Sequence, residues 1–137
     1  MWEMRLTISR QYEAILRQWA ELAIPAECCG LLFGEGGRVS AIELTANVSD
    51  NPARHFEIDP ARLIAAQRAM RDGGPEIIGY FYSHPEGGAM PSRCDARSAR
   101  TDGRYWLILS RDEIRLWIAG ERAGEVSFKE AELVVEG

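Results

Sequence analysis

Glu27, His84, Ser92 and Asp95 carry functional groups in an order that suits hydrolysis at a metal ion. His84 ends the β-rich run "EIIGYFYS", so its imidazole is expected at the edge of a sheet. The loop "PEGGAM" then turns the chain back. A short helix is expected to start at Pro91 or Ser92 and run to about Thr101, with Asp95 in its first turn. An imidazole and a carboxylate brought together in this way suit Zn2+. A catalytic zinc keeps three protein ligands and one water, whose pKa falls to about 7. A carboxylate must take the proton, and a donor must face the developing oxyanion. Ser92, one helical turn before Asp95, suits the donor. Glu27 suits the base, provided that the strand following it lies beside "EIIGYFYS".

Each of these residues also has a plainer reading. A His-Pro after a strand is most often only a turn, and Ser92 and Asp95 suit a helix N-cap and the positive end of its dipole. Glu27 by itself reads as a solvated loop carboxylate, and its standing rests on the context "ECCGLL". His55, in the separate extended piece "RHFEI", reads as a surface or packing histidine. Cys94 could reach a metal as a thiolate only if the helix rotated. Trp19, Trp106 and Trp117 fit core stripes. His84-Pro85-Glu86 matches the H-x-E of zinc nucleobase deaminases, but their P-C-x-x-C half is absent.

The elements that must position these groups are legible from periodicity. Ile8, Tyr12, Ile15, Leu16, Trp19, Leu22 and Ala23 predict an amphipathic helix over 8–23, capped by Thr7 or Ser9 and ended by Pro25. Two strands follow, Cys28–Gly34 and Val39–Val48, joined at Glu35-Gly36-Gly37. Asn51-Pro52 predicts a loop. Asp59-Pro60 starts a second helix that Gly73-Gly74 stops. "EIIGYFYS" reads as a buried strand. "RYWLILS" and "EIRLWIAG" predict a hairpin around Arg111-Asp112, and "EVSFKEAELVVE" adds one or two strands whose edges near 125–135 could pair between chains. This order predicts one mixed sheet with helices packed on it, an α/β or α+β domain.

A chain of 137 residues with 46% apolar and 27% charged residues is expected to form one domain, 1–137. Its net charge of −5 argues against a phosphate-binding surface, so no nucleic-acid partner is expected. No run is apolar enough for a membrane span, and "MWEMRLTISRQ" lacks the apolar region of a secretion signal. Three cysteines, two of them adjacent, fit a reduced cytoplasmic protein better than a disulfide framework.

Taken together, "PAECCGLLFG" and "EIIGYFYSHPEGGAMPSRCDARSA" resemble the JAMM (MPN+, Mov34/MPN/PAD-1) zinc metallopeptidase family, in its small stand-alone prokaryotic form. The family pattern is an early Glu, then H-x-H-P, a loop, and S-x-x-D. Residues 6–118 follow its order of elements, and the spacing from His84 to Asp95 fits. The resemblance implies a cytidine-deaminase-like MPN fold, a zinc ion, and hydrolysis of a peptide or isopeptide bond. It implies as substrate the Gly-Gly tail of a ubiquitin-like or sulfur-carrier protein, or a small peptide. It also implies that Glu27 activates the zinc water, Ser92 stabilises the tetrahedral intermediate, and His84 and Asp95 bind the metal.

Tyr82 stands where the family's first zinc-ligand histidine falls. A phenol must lose a proton of ordinary pKa near 10 before it binds a metal well. Three readings follow from this position. Tyr82 is a third, weaker zinc ligand or lies close to the metal; the chain is a metal-free, non-catalytic MPN-like scaffold or binding module; or the tyrosine was introduced deliberately.

Overall fold

Seven strands and two helices make up the residues that the computed structural model describes, 4–91 and 103–137. The strands are β1 Arg5–Ser9, β2 Cys29–Glu35, β3 Arg38–Thr45, β4 Ile77–Ser83, β5 Tyr105–Leu109, β6 Ile114–Arg122 and β7 Glu125–Glu136. The helices are α1 Arg10–Ala23 and α2 Pro60–Arg71. The helix expected to start at Pro91 or Ser92 lies outside the described residues.

The N-terminus differs from the sequence expectation. Residues 8 and 9 belong to a strand, and α1 begins only at Arg10. Leu6 and Ile8 are buried while their neighbours are not, the alternation of a strand. That short pattern overlaps the helical one at Ile8, which hid it. Ser9 closes the strand and caps the helix, its Oγ accepting the Tyr12 N–H at 3.0 Å. Leu22, expected in the apolar stripe of α1, is 76% exposed, whereas Trp19 and Ala23 pack against the core.

The sheet is mixed, as the element order predicts, and it closes on itself in the order β1-β3-β2-β4-β5-β6-β7. β1 lies parallel to β7, from Arg5 opposite Glu132 to Ser9 opposite Glu136. The far end of β7 is therefore occupied by β1, in place of the free edge expected near 125–135. On its other side β1 meets β3 at Thr7 and Arg38, where the Thr7 N–H donates to Gly37 O at 2.8 Å. The β2–β3 turn falls at Gly36 and Gly37, both with positive φ, which suits a tight hairpin turn.

Both faces of the sheet are covered, and alternate residues divide between two apolar clusters. Cys29, Leu31, Tyr80, Tyr82, Trp106 and Ile108 share one cluster with Phe56, Ile58 and Ala66 of the covering segment and α2. Cys28, Leu32, Phe81, Leu107 and Leu109 share the other with Leu16 of α1. α2 is fastened as expected, with Asp59 Oδ1 accepting the Ala61 N–H at 3.1 Å and Gly74 N–H donating to Ala69 O at 2.8 Å.

Gly30 sits where β3 and Phe81 approach β2 too closely for a side chain. A Cβ there would lie 2.0 Å from Glu43 O and 2.4 Å from the Phe81 ring. Gly30→Ala is therefore expected to lower the unfolding free energy by about 2–3 kcal/mol in urea titration. Cys28 and Cys29 pack as small apolar groups, and burial pushes the Cys29 thiol from its ordinary 9.0 up to about 11. Because the folded state holds this proton more tightly, the stability contributed is complete below pH 9.0 and is lost as the pH rises toward about 11. Iodoacetamide at about pH 8 is expected to leave Cys28 and Cys29 unmodified in the native protein, as read by peptide mass mapping. Labelling of either at the unfolded rate contradicts this.

Candidate functional site

The antiparallel register of β2 on β4 sets Cys29 opposite Tyr82 and Gly30 opposite Phe81. The pairing continues past the strand start, where Ser83 N–H donates to Cys28 O at 3.0 Å and Cys28 N–H donates to Ser83 Oγ at 2.8 Å. One residue further along the same register, position 27 falls opposite position 84. Glu27 and His84, which come from distant parts of the chain, line one cavity of about 760 Å³ with Pro25, Ala53, His55 and Glu86. The condition under which Glu27 suits the base, that β2 lie beside β4, is met.

Glu27 is 4% exposed and thus buried, in contrast to the solvated loop carboxylate that a lone Glu suggests. Its backbone is held by the covering segment: the N–H donates to Pro52 O at 2.7 Å, and the carbonyl accepts from Asn47 Nδ2 at 2.9 Å.

His84 is half-buried at the end of β4, its N–H donating to Leu109 O at 2.7 Å. Its Nδ1 lies 2.9 Å from Gly88 O. A carbonyl only accepts, so Nδ1 carries the proton and the neutral ring has its lone pair on Nε2. Metal-binding histidines share this arrangement, in which a backbone carbonyl fixes tautomer and ring orientation. The loop that supplies the carbonyl is fastened from the β5–β6 turn and from β6. Arg111 Nε donates to Pro85 O and Trp117 Nε1 donates to Ala89 O, both at 3.0 Å.

Tyr82, on the same face of β4 two residues earlier, is fully buried. Its ring stacks on Phe56 with centroids 4.2 Å apart and planes at 17°. It meets the His84 ring edge-on at 5.0 Å and Trp106 at 6.0 Å. The phenol thus adjoins the imidazole while its ring belongs to an aromatic cluster.

His55 is half-buried and lines the cavity of Glu27 and His84, so both histidines of the chain face one space. The residue that brings it there is Asn47, whose Nδ2 also donates to His55 O at 3.0 Å. Asn47 lies in no motif, and only the fold over β2 places it against Glu27 and His55. Ser92, Asp95 and Cys94 lie outside the described residues. Among the described residues no three His, Cys, Asp or Glu side chains group closely enough to hold a metal. Of the described residues, the His84 imidazole with its tautomer set by a carbonyl fits a Zn2+ ligand, and the buried Glu27 carboxylate opposite fits a base beside such a site.

Comparison with known proteins agrees with the fold. The family described as prokaryotic homologs of the JAB domain matches residues 9–120. A desampylase of Haloferax volcanii is 33% identical over 114 residues, which cover 82% of this chain and 80% of that protein. A Thermus thermophilus protein, named a probable TtuB-protein conjugate cleaving protease, is 32% identical over 71% of this chain and 64% of its own length. Among solved structures, one from Desulfitobacterium hafniense superposes with a TM-score of 0.78 at 28% identity, covering 96% of this chain and 92% of that one. A structure described as a JAMM metalloprotease-like zinc site in the proteasome and signalosome shares the fold, with a TM-score of 0.56 at 19% identity over 94% of this chain and 97% of that one. With a family match over most of its length and peptidases among its relatives, the chain belongs to the prokaryotic homologs of the JAB domain and is a hydrolase of the JAMM type.

Proposed function

We propose that this chain is a zinc-dependent peptidase or isopeptidase that cleaves a bond at the Gly-Gly end of a ubiquitin-like or sulfur-carrier protein tail. One observation carries the reading: the β2–β4 register brings buried Glu27 and His84 to the same cavity. Relatives named for desampylation and for cleaving TtuB-protein conjugates support the substrate class.

His84 and the Asp95 carboxylate would hold the metal, with the Tyr82 phenol as a weaker third donor. The zinc, when bound, supplies a water acidic enough to lose its proton near neutral pH and polarises the substrate carbonyl. The Glu27 carboxylate would serve as the base that accepts a proton from the attacking water and returns it to the leaving amine. The Ser92 hydroxyl donates to the oxyanion of the tetrahedral intermediate. The cavity is bounded by residues 53–55 on one side and His84–Gly87 on the other, an opening suited to a flexible tail.

The test is zinc stoichiometry together with cleavage of a ubiquitin-like protein extended beyond its Gly-Gly. Glu27→Gln is expected to lower kcat by about 10²–10⁴-fold with zinc content unchanged. Tyr82→His, which supplies an imidazole in place of the phenol, is expected to raise zinc affinity by on the order of 10–100-fold and to raise turnover with it. If neither the chain nor Tyr82→His takes up zinc or cleaves the conjugate, the enzyme reading fails. A non-catalytic binding module then stands in its place.

A further inference from the structure

We propose that Asn47 is the positioning residue of this site, a carboxamide pin that fixes Glu27 and His55 against each other across the cavity wall. The inference rests on the peptidase reading for its catalytic consequence, and on geometry alone for the pin.

The Asn47 side chain makes four hydrogen bonds, which is its full capacity. Nδ2 donates to Glu27 O at 2.9 Å and to His55 O at 3.0 Å. Oδ1 accepts the Ser49 N–H at 3.1 Å and the Glu57 N–H at 3.0 Å. Two carbonyls on one side and two N–H groups on the other permit only this orientation of the amide, since a flipped group would face donor with donor and acceptor with acceptor.

These four bonds join pieces of chain that share no strand ladder. Glu27 precedes β2, whereas Ser49, His55 and Glu57 lie within the covering segment between β3 and α2. Around the pin, Glu27 N–H donates to Pro52 O at 2.7 Å, His55 N–H donates to Asn51 O at 2.9 Å, and Val48 N–H donates to Glu57 O at 2.9 Å. The segment therefore closes as a loop around one side chain and is clamped to the backbone of Glu27. Phe56, directly after His55, inserts its ring against Tyr82. As a result the backbones that carry Glu27 and His55 are held by the same nitrogen atom, and the chain's second imidazole comes to a cavity that already holds the first.

Asn47→Asp keeps the shape of the side chain and replaces the donor with an oxygen facing two carbonyls. Hydrogen exchange is expected to speed up by about tenfold or more at the Glu27, His55 and Glu57 amides, and to stay within about twofold at Leu31 and Phe81 in the core. In steady-state assay of the zinc-loaded protein, kcat is expected to fall by about tenfold or more while KM changes by less than about threefold and zinc content is retained. In the unaltered protein, both Asn47 Nδ2 protons are expected to exchange slowly, a measurement that needs no variant. Fast exchange of those protons overturns the pin. Equal acceleration at Leu31 and Phe81, or none at Glu27 and His55, overturns it too. Retention of kcat with the three amides loosened overturns the catalytic positioning. If neither the chain nor Tyr82→His cleaves a conjugate, the peptidase reading fails, and exchange alone decides the pin.

Discussion

The pairing of β2 with β4 is the constraint on which the rest of the molecule depends. With Cys29 opposite Tyr82, the residues beyond the strand ends also fall opposite each other, and Glu27 meets His84. A shift of one residue would turn every side chain of β2 to the other face and exchange the two apolar clusters. Gly30 holds this register sterically, because only a residue without Cβ lets Phe81 and the Glu43 carbonyl come as near as they do. The chemistry at the end of the strands is thus set by packing several residues away.

Above this pairing, the segment between β3 and α2 acts as a lid fixed to the sheet by two kinds of contact. Apolar contact comes from Phe56 on Tyr82 and from Ile58 in the same cluster. Polar contact comes from Asn47, whose amide reaches Glu27 on one side and His55 on the other. A half-buried amide with all four of its hydrogen bonds made is held in one orientation, because a flip would set donors against donors and acceptors against acceptors. The two anchors serve different ends: the stack sets the depth of the segment, and the amide sets its rotation relative to the Glu27 backbone.

Tyr82 is the point at which packing and the proposed chemistry meet. Its position on β4 directs it to the same face as His84, so a residue there bears on the imidazole whatever its type. A tyrosine in that place fills space between Phe56 and Trp106 and touches His84 edge-on. A tyrosine therefore fits this strand position while lying against the imidazole, since aromatic residues suit a buried sheet face.

Much of this was legible in the sequence. The breaks at Pro25, Gly36-Gly37, Asp59-Pro60 and Gly73-Gly74 mark real element ends, because their causes are local: fixed φ, positive φ and a side-chain cap. The runs "EIIGYFYS" and "RYWLILS" likewise survive as β4 and β5, and the motif residues agree with the family match. What lay beyond it was non-local. β1 is too short to show against the helical pattern it joins, and it exists because β7 returns to pair with it. Burial of Glu27, and the arrival of His55 at its cavity, require a covering segment whose docking depends on atoms far apart in sequence. Residue types and spacing could name the reacting groups, whereas their facing one another was decided by strand register and by one amide, contacts whose energy exists only once the chain has closed.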